Sequence, residues 1–240
     1  EHGILASDYH FQLSAIYPER IYCVQYDESD LDFIQRLCEE EGIHYHFQHT
    51  SSGHKLTFGD DQTVFPKLAP VAYQQDSGLV ADKPVVKRFG LRLATRTSRT
   101  TRRDYDFVKP KIELESDAKS SAQPDLEDYD YPGRFVDRER GKHLANRALE
   151  RHRSDYRLAE GNSDQPILVS GHFLALTDHA NPTWNDLWLL TEIFHEGKQP
   201  QVLEESVTSD TTDLKDDFHQ GYRNRFSAIP WDVPYRPPLD

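Results

Sequence analysis

The sequence predicts a mainly β, α+β chain: antiparallel sheets or barrels into which two principal helices are set. Three observations carry that expectation. Short segments rich in aromatic and β-branched residues recur along the chain, several of them alternating with polar positions. Only two stretches place apolar residues at helical spacing behind a capping residue. Prolines and glycines, 14 and 12 of them, punctuate the rest and leave little room for long helices.

The stretch Arg20–Phe47 reads as strand, helix and strand in unbroken succession. Arg20–Tyr26 alternates Ile21, Cys23 and Gln25 with Tyr22, Val24 and Tyr26, which suits a strand packed on both faces. Asp27 and Ser29 offer side-chain oxygens to a helix start, and Leu31, Ile34, Leu37 and Cys38 form one apolar stripe. Glu39, Glu40 and Glu41 stand at the end where the dipole disfavours them, so they are expected to face solvent or to be paired. Gly42 fits the left-handed closing position, and Ile43–Phe47 returns to a strand.

Before this stretch, Tyr9–Leu13 is a short strand. After it, Ser51–Gly53 turns the chain into a returning strand at Lys55–Phe58, and Pro66, Pro70 and Pro84 mark a loop-rich passage. Val85–Arg103 lacks any acid and reads as one long strand, with Leu91, Leu93, Thr95 and Thr97 on one face; Tyr105–Leu114 continues it after a turn. Pro124–Phe135 is turn-like and studded with tyrosine and acid. The second helix spans about Asp137 to His152, capped by Asp137, with Leu144, Ala145, Ala148 and Leu149 inward. Ile167–Val169, Phe173–Leu176 and Leu187–Phe194 are the closing strands, with a turn at Asn181-Pro182. A polar run at Thr208–Asp217 follows, and Ala228–Pro238 reads as a proline-rich strap.

With 240 residues the chain can bury a real core in one large or two small domains. A mean hydropathy of -0.78 and the lack of a long apolar run predict no membrane-spanning helix, and no leader is expected. Methionine is absent, which marks the chain as a piece of something longer. Cys23 and Cys38 make no disulfide framework and are expected as buried free thiols. The net charge of -13 argues against general nucleic-acid binding.

Candidate chemistry is sparse. His44 and His46 share one strand face with His49 nearby, a pair that a metal-dependent hydrolase would use given further ligands. The simpler reading is a polar strand face, because two imidazoles are too few for a closed or catalytic zinc site. His172, His179, His195 and His219 are scattered. The basic run Lys87–Arg103 is the nucleic-acid candidate, with Phe89 its one nearby stacking ring; its simpler reading is a strand whose arginines answer carboxylates of this chain or of a partner subunit. Asp128 and Asp130 flank Tyr129 in a turn, where aspartate serves the backbone. Tyr129–Tyr131 and Trp184–Trp188 suit core or subunit contact. No catalytic, cofactor-binding or metal residue is assigned.

Several motifs occur together in a fixed order: Tyr17-Pro18-Glu19-Arg20-Ile21-Tyr22-Cys23-Val24-Gln25-Tyr26, Leu37-Cys38-Glu39-Glu40-Glu41-Gly42-Ile43, Arg103-Asp104-Tyr105-Asp106-Phe107, Tyr129-Asp130-Tyr131-Pro132-Gly133-Arg134-Phe135, and Asn224-Arg225-Phe226 with Ala228-Ile229-Pro230. As a set they resemble the VgrG spike family of type VI secretion systems, related to baseplate hub proteins of contractile phage tails, over nearly the whole chain. The resemblance implies barrels of the phage tail-hub type at 1–220, truncated at the N-terminus, and a proline-rich linker at 221–240 leading to an absent oligonucleotide-binding-like spike domain. It implies a structural, non-enzymatic part of a homotrimeric hub that joins the Hcp tube to a needle, contacts baseplate proteins and helps deliver effectors or adaptors. It implies no cofactor, no nucleic acid and no membrane anchoring, with assembly in the bacterial cytoplasm followed by secretion through the apparatus. At His44 and His46 this chain departs from the more aromatic strand common in the family.

Overall fold

The computed structural model describes residues 3–20, 22–75, 83–199 and 221–238. In chain order the elements are β1 (Tyr9–Gln12), α1 (Asp30–Glu41), β2 (His44–Thr50), β3 (Gly53–Gly59), β4 (Val71–Ala72), β5 (Val86–Leu93), β6 (Arg99–Asp104), β7 (Leu114–Lys119), β8 (Glu127–Asp130), α2 (Arg138–His152), β9 (Arg157–Ser163), β10 (Phe173–Thr177), β11 (Leu187–Lys198) and β12 (Gly221–Pro230). They fall into two units. One comprises Glu1–Val64, Leu93–Arg157 and Trp231–Asp240, the other Phe65–Arg92 and Leu158–Pro230.

The first unit holds both long helices and two three-stranded sheets, ordered β1-β3-β2 and β7-β6-β8. Helix α1 starts at Ser29, whose hydroxyl accepts from Asp32 N while the Asp32 carboxylate accepts from Ser29 N, a reciprocal capping box. It stops at Gly42, whose φ of 73° is open to glycine at little cost. Helix α2 is capped by Asp137 and lies on β7 and β6 through Gly141, Ala145 and Ala148. At Gly141 a Cβ would come within 2.6 Å of both Phe135 and Ser116 Oγ, so the small residue sets the helix-to-sheet approach.

The second unit is a six-stranded sheet, β4-β10-β11-β12-β9-β5. A bridge between Tyr73 and Val86, with Gln74 N donating to Val86 O at 2.9 Å, joins its first and last strands and closes it into a barrel. Val86, Leu168, Leu174, Leu176, Leu190 and Ala228 fill the interior. Phe89 stands among Trp188, Trp184 and Phe226 at ring-centroid distances of 4.9, 5.6 and 6.3 Å.

Mainly β sheets with two principal helices are as expected, but among the described residues β1 pairs with β3, β4 with β10 and β6 with β8 in parallel. Other local expectations are corrected. Among the described residues, Tyr22–Tyr26 join no strand, and Tyr22 and Tyr26 lie in solvent, because alternation makes a strand only where a neighbour completes the ladder. Cys23 is therefore exposed rather than buried, while Cys38 is half-buried, with its thiol pushed up to about 11 by burial.

The single long strand expected at Val85–Arg103 is two, β5 and β6. At Ala94 the main chain turns to Tyr156 O (3.0 Å), and at Ser98 to Leu126 O (2.9 Å). Nor does Tyr105–Leu114 extend it, since β7 begins only at Leu114. At Ile167–Val169 there is no strand; Leu168 enters the barrel core from a turn. Residues 221–240 were expected as a linker, but β12 runs through the sheet between β11 and β9, with Asn224, Phe226 and Ala228 facing inward. The strap proper starts at Trp231 and returns to the first unit, where Arg157 grips Asp232 at 2.7 Å and Val233 is buried. Strand β9 was not anticipated, because its inward residues, Ala159, Gly161 and Ser163, are small or polar. The polar run at Thr208–Asp217 lies outside the described residues.

Candidate functional site

Strand β2 carries His44 and His46 inward on the first unit, both buried. His44 Nε2 lies 3.3 Å from Asp61 O, and its ring meets Tyr235 edge-on at 6.0 Å. Burial pulls the His44 imidazole down to about 4, so it is neutral at ordinary pH. His46 Nε2 lies 3.5 Å from the Gln48 side chain. His49 lies on the exposed part of the strand, its Nδ1 2.7 Å from that of His54, its cross-strand partner. Among the described residues no three His, Cys, Asp or Glu side chains converge in a ligand-like group. The histidines sequence reasoning singled out are parts of a packed strand face and a surface pair.

The basic run is met by carboxylates. Lys87 pairs with Asp164 at 2.9 Å, Arg96 with Asp155 at 2.5 Å, Arg99 with Glu127 at 3.3 Å, Arg102 with Asp128 at 2.9 Å and Arg103 with Glu115 at 3.8 Å. Partners within the chain thus take up much of the positive charge a phosphate backbone would need. Asp128 also accepts from His152 at 3.1 Å. Burial alone would raise its carboxyl, and the bonds from His152 and Arg102 hold it below the usual range. Trp188 is barrel core, its Nε1 donating to Trp184 O at 2.9 Å, whereas Tyr129 and Tyr131 stay exposed.

Two ionic clusters in the first unit were not legible in the sequence. In one, Glu41 at the end of α1 receives Arg20 at 2.9 Å, Arg140 Nη1 at 2.6 Å and His143 at 3.6 Å. Burial would raise its carboxyl, but these donors hold it at about 2. In the other, Arg236 on the strap is buried, with Nε on Glu150 at 2.7 Å and Nη1 on the carbonyls of Gly42 (3.0 Å) and Asp60 (2.6 Å). The Asp60 carboxylate accepts from Ser14 N, Ala15 N and Tyr17 Oη at 2.8, 2.9 and 2.9 Å. Arg140 thereby ties α2 to α1, and Arg236 ties the strap to α2 and to the ends of α1 and β3. Only the final contacts reveal this. Glu39–Glu41 signalled that some pairing was needed, but nothing in the sequence signalled Arg236.

The described surface carries a number of apolar and aromatic side chains: Tyr22, Tyr26, Leu31, Phe107 and Phe194 among others are largely exposed. Such surfaces belong to a protein that docks against others more readily than to one that encloses a small substrate. No helix among the described residues is long and apolar enough to cross a membrane.

Comparison with known proteins agrees with that character. A family model described as phage tail baseplate hub (GPD) matches residues 1–201. The type VI secretion system spike protein VgrG4b of Pseudomonas aeruginosa is 70% identical over the whole chain, and VgrG5 of the same organism 63%. The chain spans 30% and 31% of the lengths of these two relatives. Among solved structures, an E. coli protein, c3393, described as a type VI secretion component with structural similarity to the T4 bacteriophage tail proteins gp27 and gp5, aligns with a TM-score of 0.64. The identity is 18%, covering 99% of this chain and 48% of that one, so the likeness speaks for the fold. Barrel, embedded helices and sequence agree: the chain belongs to the phage tail baseplate hub (GPD) family.

Proposed function

We propose that this chain is the hub portion of a type VI secretion spike, a stiff collar on which a tube docks from one side and a needle from the other. The observation that carries this reading is the 70% identity, without loss of coverage, to a spike protein. In this reading three copies form the ring, Hcp supplies the tube, and effectors or adaptors ride on the assembled spike. A ring of repeated barrels resolves the mismatch between six-fold tube and three-fold needle. The work is adhesive and mechanical, and the reading assigns no catalytic residue to this region. The protein assembles in the bacterial cytoplasm and leaves through the apparatus.

A chimera tests it. Residues 1–240 of this chain replace the matching region of VgrG4b in Pseudomonas aeruginosa, and export of the chimera and of Hcp into the medium is measured. Export near that of the unmodified spike protein is expected. A chimera that accumulates folded in the cell but exports neither protein overturns the reading.

A further inference from the structure

His49 on β2 and His54 on β3 stand directly opposite each other in the antiparallel ladder, and both are exposed. The two-residue turn Ser51–Ser52 joins these strands and fixes their register, so the pairing is held by the backbone. Thr50 Oγ1 donates to Gly53 O at 3.1 Å and tightens the same turn. The two imidazole rings meet edge to face, with centroids 4.8 Å apart and planes at 78°. Their Nδ1 atoms converge to 2.7 Å. Phe47 stacks beside the His49 ring at 6.2 Å and restrains it. The next pair along the same face, Phe47 and Leu56, is uncharged, while Lys55 alternates to the other face opposite Gln48.

Two ring nitrogens at 2.7 Å hold a proton between them, one imidazole donating and the other accepting. A metal ion in place of that proton would take a lone pair from each ring with little movement of either. We infer that His49 and His54 form a two-point clamp for a divalent transition-metal ion of tetragonal preference, Cu2+ or Ni2+. With metal–nitrogen bonds of about 2.0–2.1 Å, nitrogens 2.7 Å apart set an N–metal–N angle of about 80–85°. That is close to the cis right angle of a square-planar or octahedral ion. A tetrahedral ion would need the nitrogens about 3.3–3.4 Å apart, so zinc fits the clamp less well. Two protein ligands leave the other positions to water, so the site is neither closed nor catalytic and its ion exchanges with solvent. The net charge of -13 favours approach of a cation. A bound ion staples β2 to β3 next to their turn. The inference stands on this hairpin and holds whether or not the chain is a spike hub.

Titration calorimetry of the untagged 240-residue chain with Ni2+ tests this, in a Cys23→Ser background so that the exposed thiol takes up no metal. One saturable Ni2+ per chain is expected, with Zn2+ bound more weakly. His49→Gln and His54→Gln should each weaken nickel binding about tenfold or more, because either change leaves a one-point site. The double variant should lose no more than either single one. Both rings are exposed, so the metal-free circular dichroism spectra of the variants should match that of the parent. Saturating Ni2+ should raise the urea midpoint of the parent and leave that of the double variant unchanged. No saturable binding, parent-like affinity in either single variant, or an equal midpoint rise in the double variant overturns the inference. Zn2+ binding more tightly than Ni2+ overturns it as well, in favour of a tetrahedral site.

Discussion

Burial holds His44 neutral down to about 4, against 6.5 for a free imidazole, and this makes the first unit sensitive to acid. The unfolded chain binds a proton at His44 over that interval and the folded chain does not, so stability falls as the pH drops from about 6.5 to about 4. The contribution is on the order of 3 kcal/mol across the window. Glu41 acts in a lower window: its folded value, about 2, lies below the free value of 4.5, so the stability it supplies is complete above 4.5 and is lost as the pH falls toward 2. Urea midpoints measured from pH 7 to pH 4 should decline steeply in the parent chain and more shallowly in His44→Gln. Equal slopes would refute the assignment.

At the scale of elements, close approach by glycine decides where strands and helices meet. In β9, a Cβ at Gly161 would overlap the Phe226 ring and stand 2.8 Å from the Arg88 carbonyl, a main-chain atom that cannot swing away. Gly161→Ala is expected to cost about 1–3 kcal/mol through overpacking. Adding Phe226→Leu should return part of that, since the ring is one of the two obstacles. Chemical denaturation of both variants and the double mutant checks the coupling, and strict additivity would speak against it. The helix starts show how local chemistry is sufficient where it is complete: Ser29 and Asp32 open α1 and Asp137 opens α2 through neighbours in sequence, while the end of α1 at Gly42 also takes bonds from Arg151 and Arg236.

Considered whole, the chain separates its spectroscopic probes. Both long helices belong to the first unit, while Trp184 and Trp188 belong to the barrel. Leu190 is fully buried in the barrel interior. Leu190→Ala, in a background where Trp231 is Phe, should lower barrel stability by about 2–5 kcal/mol. The tryptophan fluorescence transition should move to lower urea by more than the helical circular dichroism transition does. Coincident shifts of equal size would show that the two units unfold as one. The exposed aromatic side chains likewise depend on the folded arrangement, since alternation alone did not mark Tyr22 and Tyr26 as outward.

What was legible in the residues themselves was local or collective. The two helices and their caps, the β1, β2, β3, β10 and β11 segments, the mainly β class and the family followed from spacing, capping chemistry and motif order. Tertiary structure decided the rest, because each such outcome depends on a partner distant in sequence. Tyr22–Tyr26 has strand alternation but no neighbouring strand, while Gly221–Pro230 gains its place between β11 and β9 from register rather than composition. Arg236 becomes a buried clasp because Gly42 and Asp60, 194 and 176 positions away, turn their carbonyls toward it. Arg151 meets the Glu39 carbonyl at the end of α1, 112 positions away, a contact that no local pattern announces. Backbone propensity acts over a few residues and can be read along the chain. Charge pairing and ladder completion act across space, and only the folded arrangement determines which groups are satisfied.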